Sequence, residues 1–129
     1  AVLEDKDFII GEVDEIQLEK GFFDFTEKYT LKTSSIHVPA RIAPEKAAEV
    51  KRTAKKIYEA LDCSGFARVD MFLDDSGRIV FNEVNTIPGF TTHSRFPNML
   101  KAAHISFEQI ISIAITKALS EWSQNGEQE

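Results

Sequence analysis

The chain has 129 residues, 43% hydrophobic and 28% charged, with a net charge of −6, which is enough for one ordinary core and too little for two full domains. An acidic balance argues against nucleic acid as a partner, because phosphate binding needs a basic surface, and no run approaches the roughly 20 apolar residues of a membrane span. The single Cys63 excludes an internal disulfide, points to a reducing, cytoplasmic setting, and reads as a small buried apolar side chain.

The opening Ala1-Val2-Leu3-Glu4-Asp5 has neither an initiating Met nor a signal-peptide pattern and reads as the interior of a longer protein. Phe8 to Val13 predicts a strand that runs on toward Leu18. From Lys20 to Thr33, four aromatic residues lie among charges without a clear period, which predicts a loop. A loop of that length is functional or disordered, and its aromatic residues favour function. Ile36-His37-Val38 predicts a short strand closed by Pro39. Pro44 suits a first helical position, and Val50, Ala54, Ile57 and Leu61 recur at helical spacing up to a stop between Asp62 and Gly65. Phe66–Leu73 and Ile79–Val84 then form a hairpin across the turn Asp74-Asp75-Ser76-Gly77. Asn85 to Asn98 reads as an irregular loop bracketed by Pro88 and Pro97. The last helix opens with a capping box, Ser106 with Gln109, and a hydrophobic staple, Ile105 with Ile110. Its apolar positions continue through Ile111, Ala114, Ala118 and Trp122, and residues 123–129 form a frayed polar tail.

Chemistry gathers on the hairpin. A four-residue turn would set Leu73 opposite Arg78 and Arg68 opposite Glu83, and side-chain alternation would then bring Arg68, Asp70, Glu83 and Asn85 to one face. A one-residue slip would send the two pairs to opposite faces. Two carboxylates and an amide oxygen are hard donors suited to Mg²⁺, and an adjacent guanidinium can grip a phosphoryl oxygen bidentately. The same residues also fit a solvated face with a surface Arg–Glu pair of ~0–1 kcal/mol. The following loop, Asn85-Thr86-Ile87-Pro88-Gly89-Phe90-Thr91-Thr92-His93-Ser94, is polar, is placed by a rigid scaffold, and carries a glycine open to close backbone approach.

Phe66-Ala67-Arg68-Val69-Asp70, then Asn82-Glu83-Val84-Asn85-Thr86-Ile87-Pro88-Gly89-Phe90-Thr91 with His93-Ser94, resembles the C-terminal signature of D-alanine–D-alanine ligases. These are ATP-grasp enzymes of peptidoglycan precursor synthesis. The resemblance extends upstream through Gly21-Phe22-Phe23-Asp24-Phe25 and Glu27-Lys28-Tyr29 and covers nearly the whole chain. In wording it is similar to the vancomycin-resistance branch, including D-alanine–D-serine ligases. It implies an α/β (α+β) fold, the C-terminal portion of an ATP-grasp domain over residues 1–122, mostly antiparallel sheet with flanking helices.

The resemblance also implies roles. Asp70, Glu83 and Asn85 match Mg²⁺ ligands, with Glu83 bridging two ions and Mn²⁺ an alternative metal. Arg68 matches the arginine on the transferring phosphoryl group, and Gly89 the glycine whose N–H joins Arg68 at the tetrahedral oxyanion. Lys28 and Tyr29 match loop residues that close over the site, with Ser94 as hydrogen-bonding partner of Tyr29 and as a substrate contact. Phe22 matches an aromatic residue on adenine, and Phe72 lines the same pocket. Arg95 stands where plain family members carry an apolar residue. It sits either near the second substrate or in solvent. His93 reads as a structural loop residue.

The implied reaction joins D-alanine to D-alanine or D-serine through an acyl phosphate made from ATP, in a parent enzyme that is a homodimer. The first-substrate site, two ATP-phosphate lysines and the adenine and ribose contacts of the family precede the matched segment, so this chain alone is expected to be inactive. The rival readings are another ATP-grasp carboxylate–amine ligase, against which Tyr29, Gly89 and His93-Ser94 count, and a non-catalytic interaction module, against which the retained Arg68, Asp70, Glu83 and Asn85 count.

Overall fold

The structure, a computed structural model, describes residues 1–18 and 34–126. The expected loop from Lys20 to Thr33, with Phe22, Lys28 and Tyr29, lies outside the described residues. Among those described, β1 (Val2–Glu4) runs antiparallel between β2 (Phe8–Ile10) and β5 (Phe66–Leu73), and β5 pairs in turn with β6 (Ile79–Asn85). A separate antiparallel ribbon joins β3 (Glu15–Leu18) to β4 (Ser34–His37). Arg41 clamps that ribbon through Glu15, donating from Nε and Nη2 at 3.1 and 2.7 Å. These bonds, with one from the Arg41 backbone, hold the Glu15 carboxyl down at about 2.

The continuous strand expected from Phe8 toward Leu18 is instead two strands. The break falls at Gly11, whose N–H donates to the carbonyl of Ala1 while Glu12 donates to that of Met99. A Cβ at Gly11 would lie 3.0 Å from the Met99 backbone, so the chain leaves the sheet where only glycine passes that close to a helix. The short strand Val2–Glu4 carries no alternation a sequence pattern could detect.

Alternation along the sheet builds a core on each face. Val2 opposes Ala67 and Leu3 opposes Phe66. Val2, Ala67 and Val69 pack with Ala54 and Tyr58 of helix α1 (Pro44–Ala60). On the other face Leu3 packs with Phe96, Met99 and Leu100 of α2 (Arg95–Ala102) and Ile110 of α3 (Phe107–Gly126). A sheet apolar on both faces needs such a cover on each. Among the described residues no helix is long and apolar enough to cross a membrane.

The helices match their start signals better than their buried faces. Ser106 and Gln109 form the reciprocal capping box at 2.7 and 3.2 Å. The staple commits Ile110 to the core, and a residue one step further turns about 100° away. Ile111 and Trp122 accordingly face outward, Trp122 at 74% exposure, and Ala118 is exposed too. In α1 the buried ring is Tyr58, whereas Leu61 at the end is exposed. Helix α3 runs to Gly126, with Ser123 Oγ donating to the Leu119 carbonyl at 3.0 Å, so residues 123–126 of the expected tail are helical. Helix α2 falls partly where the sequence suggests an irregular loop. Pro97 is its third residue, and first-turn N–H groups have no helical partner to lose.

Candidate functional site

The hairpin places Arg68, Asp70, Glu83 and Asn85 on one face, by a route the sequence reading did not foresee. Asp74 organises the turn, its Oδ1 accepting from the N–H groups of Ser76 and Arg78 at 3.0 and 2.9 Å, and Gly77 takes a φ of +79°. This draws Arg78 into the turn, so Leu73 opposes Ile79 rather than Arg78. That single slip would flip the carboxylates apart. A bulge between Asp70 and Met71 then leaves Asn82 as an extra residue: Met71 opposes Phe81 while Asp70 opposes Glu83. The second slip restores the faces. Arg68 ends opposite Asn85, and Glu83 opposite Asp70.

Even-numbered β5 residues emerge from the core toward this site: Phe66 packs on the α2–α3 core, then come Arg68, Asp70 and the 58% exposed Phe72. Arg68 donates from Nε and Nη2 to the two Asp70 oxygens, both at 2.8 Å, and is 15% exposed. Asp70 is thus the bidentate partner of Arg68, and with side chains 15% and 18% exposed the two do not form a solvated surface pair. Asp70, Glu83, Phe72, Arg95, Lys51 and Asp14 line a cavity of about 440 Å³.

Arg95 neither faces solvent nor stands apart. As the first residue of α2 it donates to Asp14 Oδ2 and Oδ1 at 2.6 and 2.8 Å, and its Nη1 lies 3.8 Å from Asp70 Oδ2. Burial works against its charge, but the hydrogen bonds and charge of Asp14, and the charge of Asp70, raise its pKa overall. Asp14 is 3% exposed and was missed from sequence, lying in what reads as a continuing strand.

The donor set suits a hard divalent cation. Asp70 and Glu83 are direct cross-strand partners, and Asn85 holds its Oδ1 by accepting from the Ile87 N–H at 3.1 Å. Among the described residues no group of three His, Cys, Asp or Glu side chains could hold a metal alone. Two carboxylates and an amide oxygen are hard donors of the kind that suit Mg²⁺ when it keeps positions for water and phosphate oxygens.

The loop after β6 is anchored by Phe90, whose ring lies 5.6 Å from Phe66, 5.8 Å from Phe96 and 5.6 Å from Phe107. A lone Phe amid polar residues was its only sequence signal. This anchor fixes Gly89 and Ser94 beside each other: a Cβ on Gly89 would come within 2.9 Å of Ser94 Oγ. Ser94 precedes Arg95, so the loop end and the carboxylate face are joined at one residue.

With that geometry in hand, similarity to known proteins is informative. The family model described as D-ala D-ala ligase C-terminus matches residues 1–116. The chain is 49% identical over 115 residues to the vancomycin/teicoplanin A-type resistance protein VanA of Enterococcus faecium, covering 86% of this chain and 34% of that protein. Among solved structures it resembles the VanG D-Ala:D-Ser ligase of Enterococcus faecalis, with a TM-score of 0.78 and 58% identity over 89% of this chain and 34% of that one. It also resembles the Bacillus anthracis D-alanine–D-alanine ligase complexed with ATP, with a TM-score of 0.73 and 29% identity over 96% of this chain and 40% of that one. The chain thus spans about a third of the length of the relatives it matches.

Proposed function

This chain belongs to the D-alanine–D-alanine ligase family, and we propose that it is the metal-binding, bond-forming part of an ATP-dependent ligase that joins D-alanine to a second D-amino acid. Residues 1–122 form the C-terminal portion of its ATP-grasp domain. The shared face of Arg68, Asp70, Glu83 and Asn85 carries the reading, because it combines hard oxygen donors with a bidentate cation, as phosphoryl transfer requires.

In this scheme Asp70, Glu83 and Asn85 would hold two Mg²⁺ ions, which would supply charge neutralisation on the ATP phosphates. Arg68 orients the transferring phosphoryl group. The D-alanine carboxylate attacks the γ-phosphorus of ATP, breaking its bond to the bridging oxygen and giving an acyl phosphate and ADP. The second amine then attacks the acyl carbon, forming the amide as inorganic phosphate leaves and carries off the amine proton. Arg68 and the Gly89 N–H stabilise the oxyanion of that second step. Ser94 meets the second amino acid; the roles that the resemblance implies for Lys28 and Tyr29 fall outside the described residues. Phe72, and Phe22 outside the described residues, flank the base. The first-substrate site and the remaining nucleotide contacts come from the part of the relatives' length that this chain does not match. The parent enzyme works in the cytoplasm as a homodimer.

D-Serine is the favoured second substrate, on the 58% identity to a D-Ala:D-Ser ligase. The test is ATP-dependent phosphate release by the full-length protein with D-alanine plus D-alanine, D-serine or D-lactate. Release with D-serine above that with D-alanine supports the assignment. Release only with D-lactate contradicts it, and no release with any of the three contradicts the ligase reading itself.

A further inference from the structure

Ser94 occupies the N-cap position of α2, with extended backbone at φ −74° and ψ 150°, yet its hydroxyl makes no cap hydrogen bond. Serine at that position ordinarily accepts from an N–H two or three residues on. Here the hydroxyl turns backward into the preceding loop. Its Oγ accepts from the Thr91 N–H at 3.0 Å and lies 2.9 Å from Thr91 Oγ1. The Ser94 N–H donates to the Thr91 carbonyl at 2.9 Å, so backbone and side chain of Thr91 grip Ser94 at three points. Gly89 leaves the space into which the hydroxyl swings.

We infer that Thr91 is a positioning residue that presents the Ser94 hydroxyl as a hydrogen-bond donor to the incoming amino-acid substrate. A serine hydroxyl has one proton and two lone pairs. The Thr91 N–H fills one lone pair. Thr91 Oγ1 accepts from the His93 N–H at 3.4 Å, and either hydroxyl can donate across the 2.9 Å contact with Ser94; in the inferred arrangement Thr91 donates to the second Ser94 lone pair. With both lone pairs filled in that arrangement, the Ser94 proton is left for an acceptor such as a carboxylate oxygen of the substrate. The proposal rests on the reading of Ser94 as a substrate contact.

The experiment measures steady-state kinetics in the full-length protein for Thr91→Val, Thr91→Ser, Ser94→Ala and Thr91→Val/Ser94→Ala. Thr91→Val keeps the shape and loses the hydroxyl. It should raise KM for the second amino acid about 3- to 10-fold, the size of one neutral hydrogen bond, with KM for ATP and the thermal midpoint unchanged. Thr91→Ser should restore the KM, and Thr91→Val should add nothing in the Ser94→Ala background. An effect of Thr91→Val that persists without Ser94, or that appears as lost thermal stability with no change in KM, would overturn the positioning role. If Ser94→Ala impairs KM while Thr91→Val does not, this inference fails and the reading of Ser94 stands. If Ser94→Ala leaves KM unchanged, both fall together.

Discussion

Arg68→Lys in the full-length protein should lower kcat about 100- to 1000-fold, the usual cost of losing one preorganised donor to a transition-state oxyanion. The substitution keeps the charge but removes the planar fork. In the structure that fork is already set, with both Asp70 oxygens engaged at 2.8 Å and the guanidinium 15% exposed. Lysine's three N–H groups sit on one nitrogen, so it cannot span both Asp70 oxygens side by side while holding a further N–H in fixed geometry toward a phosphoryl group. Affinity for ATP should change less, because in the proposed scheme the substitution leaves the contacts to the base and the other phosphate contacts untouched. Steady-state kinetics with saturating ATP checks this. Wild-type turnover would return Arg68 to the status of a structural partner of Asp70, and a change confined to nucleotide affinity would remove its transition-state role.

Arg95→Met should destabilise the fold by about 3–5 kcal/mol, because it strands a buried carboxylate without its partner. The Asp14 side chain is 3% exposed and both its oxygens accept from Arg95. The pair also ties the β2–β3 connection to the start of α2, and so to the loop carrying Ser94. Removing both charges in Asp14→Leu/Arg95→Met should recover most of the loss, since a well-packed apolar pair of similar volume is often neutral relative to a buried ion pair. Chemical denaturation of the variants reads the difference directly. A cost below about 1 kcal/mol for Arg95→Met would mean that the pair behaves as a solvated one.

Much of this was legible because the local signals were strong. The Ser106–Gln109 capping box, Pro44 at a helix start, and the two alternating strands around Asp74–Gly77 each carry a mechanism that acts within a few residues. The shared face of Arg68, Asp70, Glu83 and Asn85 was read correctly from an incorrect register. The Asp74 turn and the bulge at Asn82 each shift the pairing by one residue, and two such shifts preserve which face a side chain occupies. Neither was visible beforehand, because both depend on side-chain hydrogen bonds and strand twist rather than on hydropathy.

Tertiary context accounts for the rest. Gly11 breaks a strand because α2 passes within contact distance. Pro97 sits inside a helix because its first turn needs no N–H. Asp14 and Arg95 meet across 81 positions of sequence, a separation no local pattern encodes. The roles of Arg68, Gly89 and Ser94 came from resemblance, whereas the coupling of Thr91, Gly89 and Ser94 needed coordinates.

The central claim, that the carboxylate face of the hairpin holds the metal for phosphoryl transfer, is tested most directly by Mg²⁺ titration of turnover in full-length protein carrying Glu83→Gln. Glutamine keeps an oxygen donor at the same register position and removes the charge that draws a divalent cation to the site. The Mg²⁺ concentration for half-maximal turnover should rise at least about 10-fold, together with a lower kcat at saturation. An unchanged Mg²⁺ dependence with wild-type turnover would contradict it.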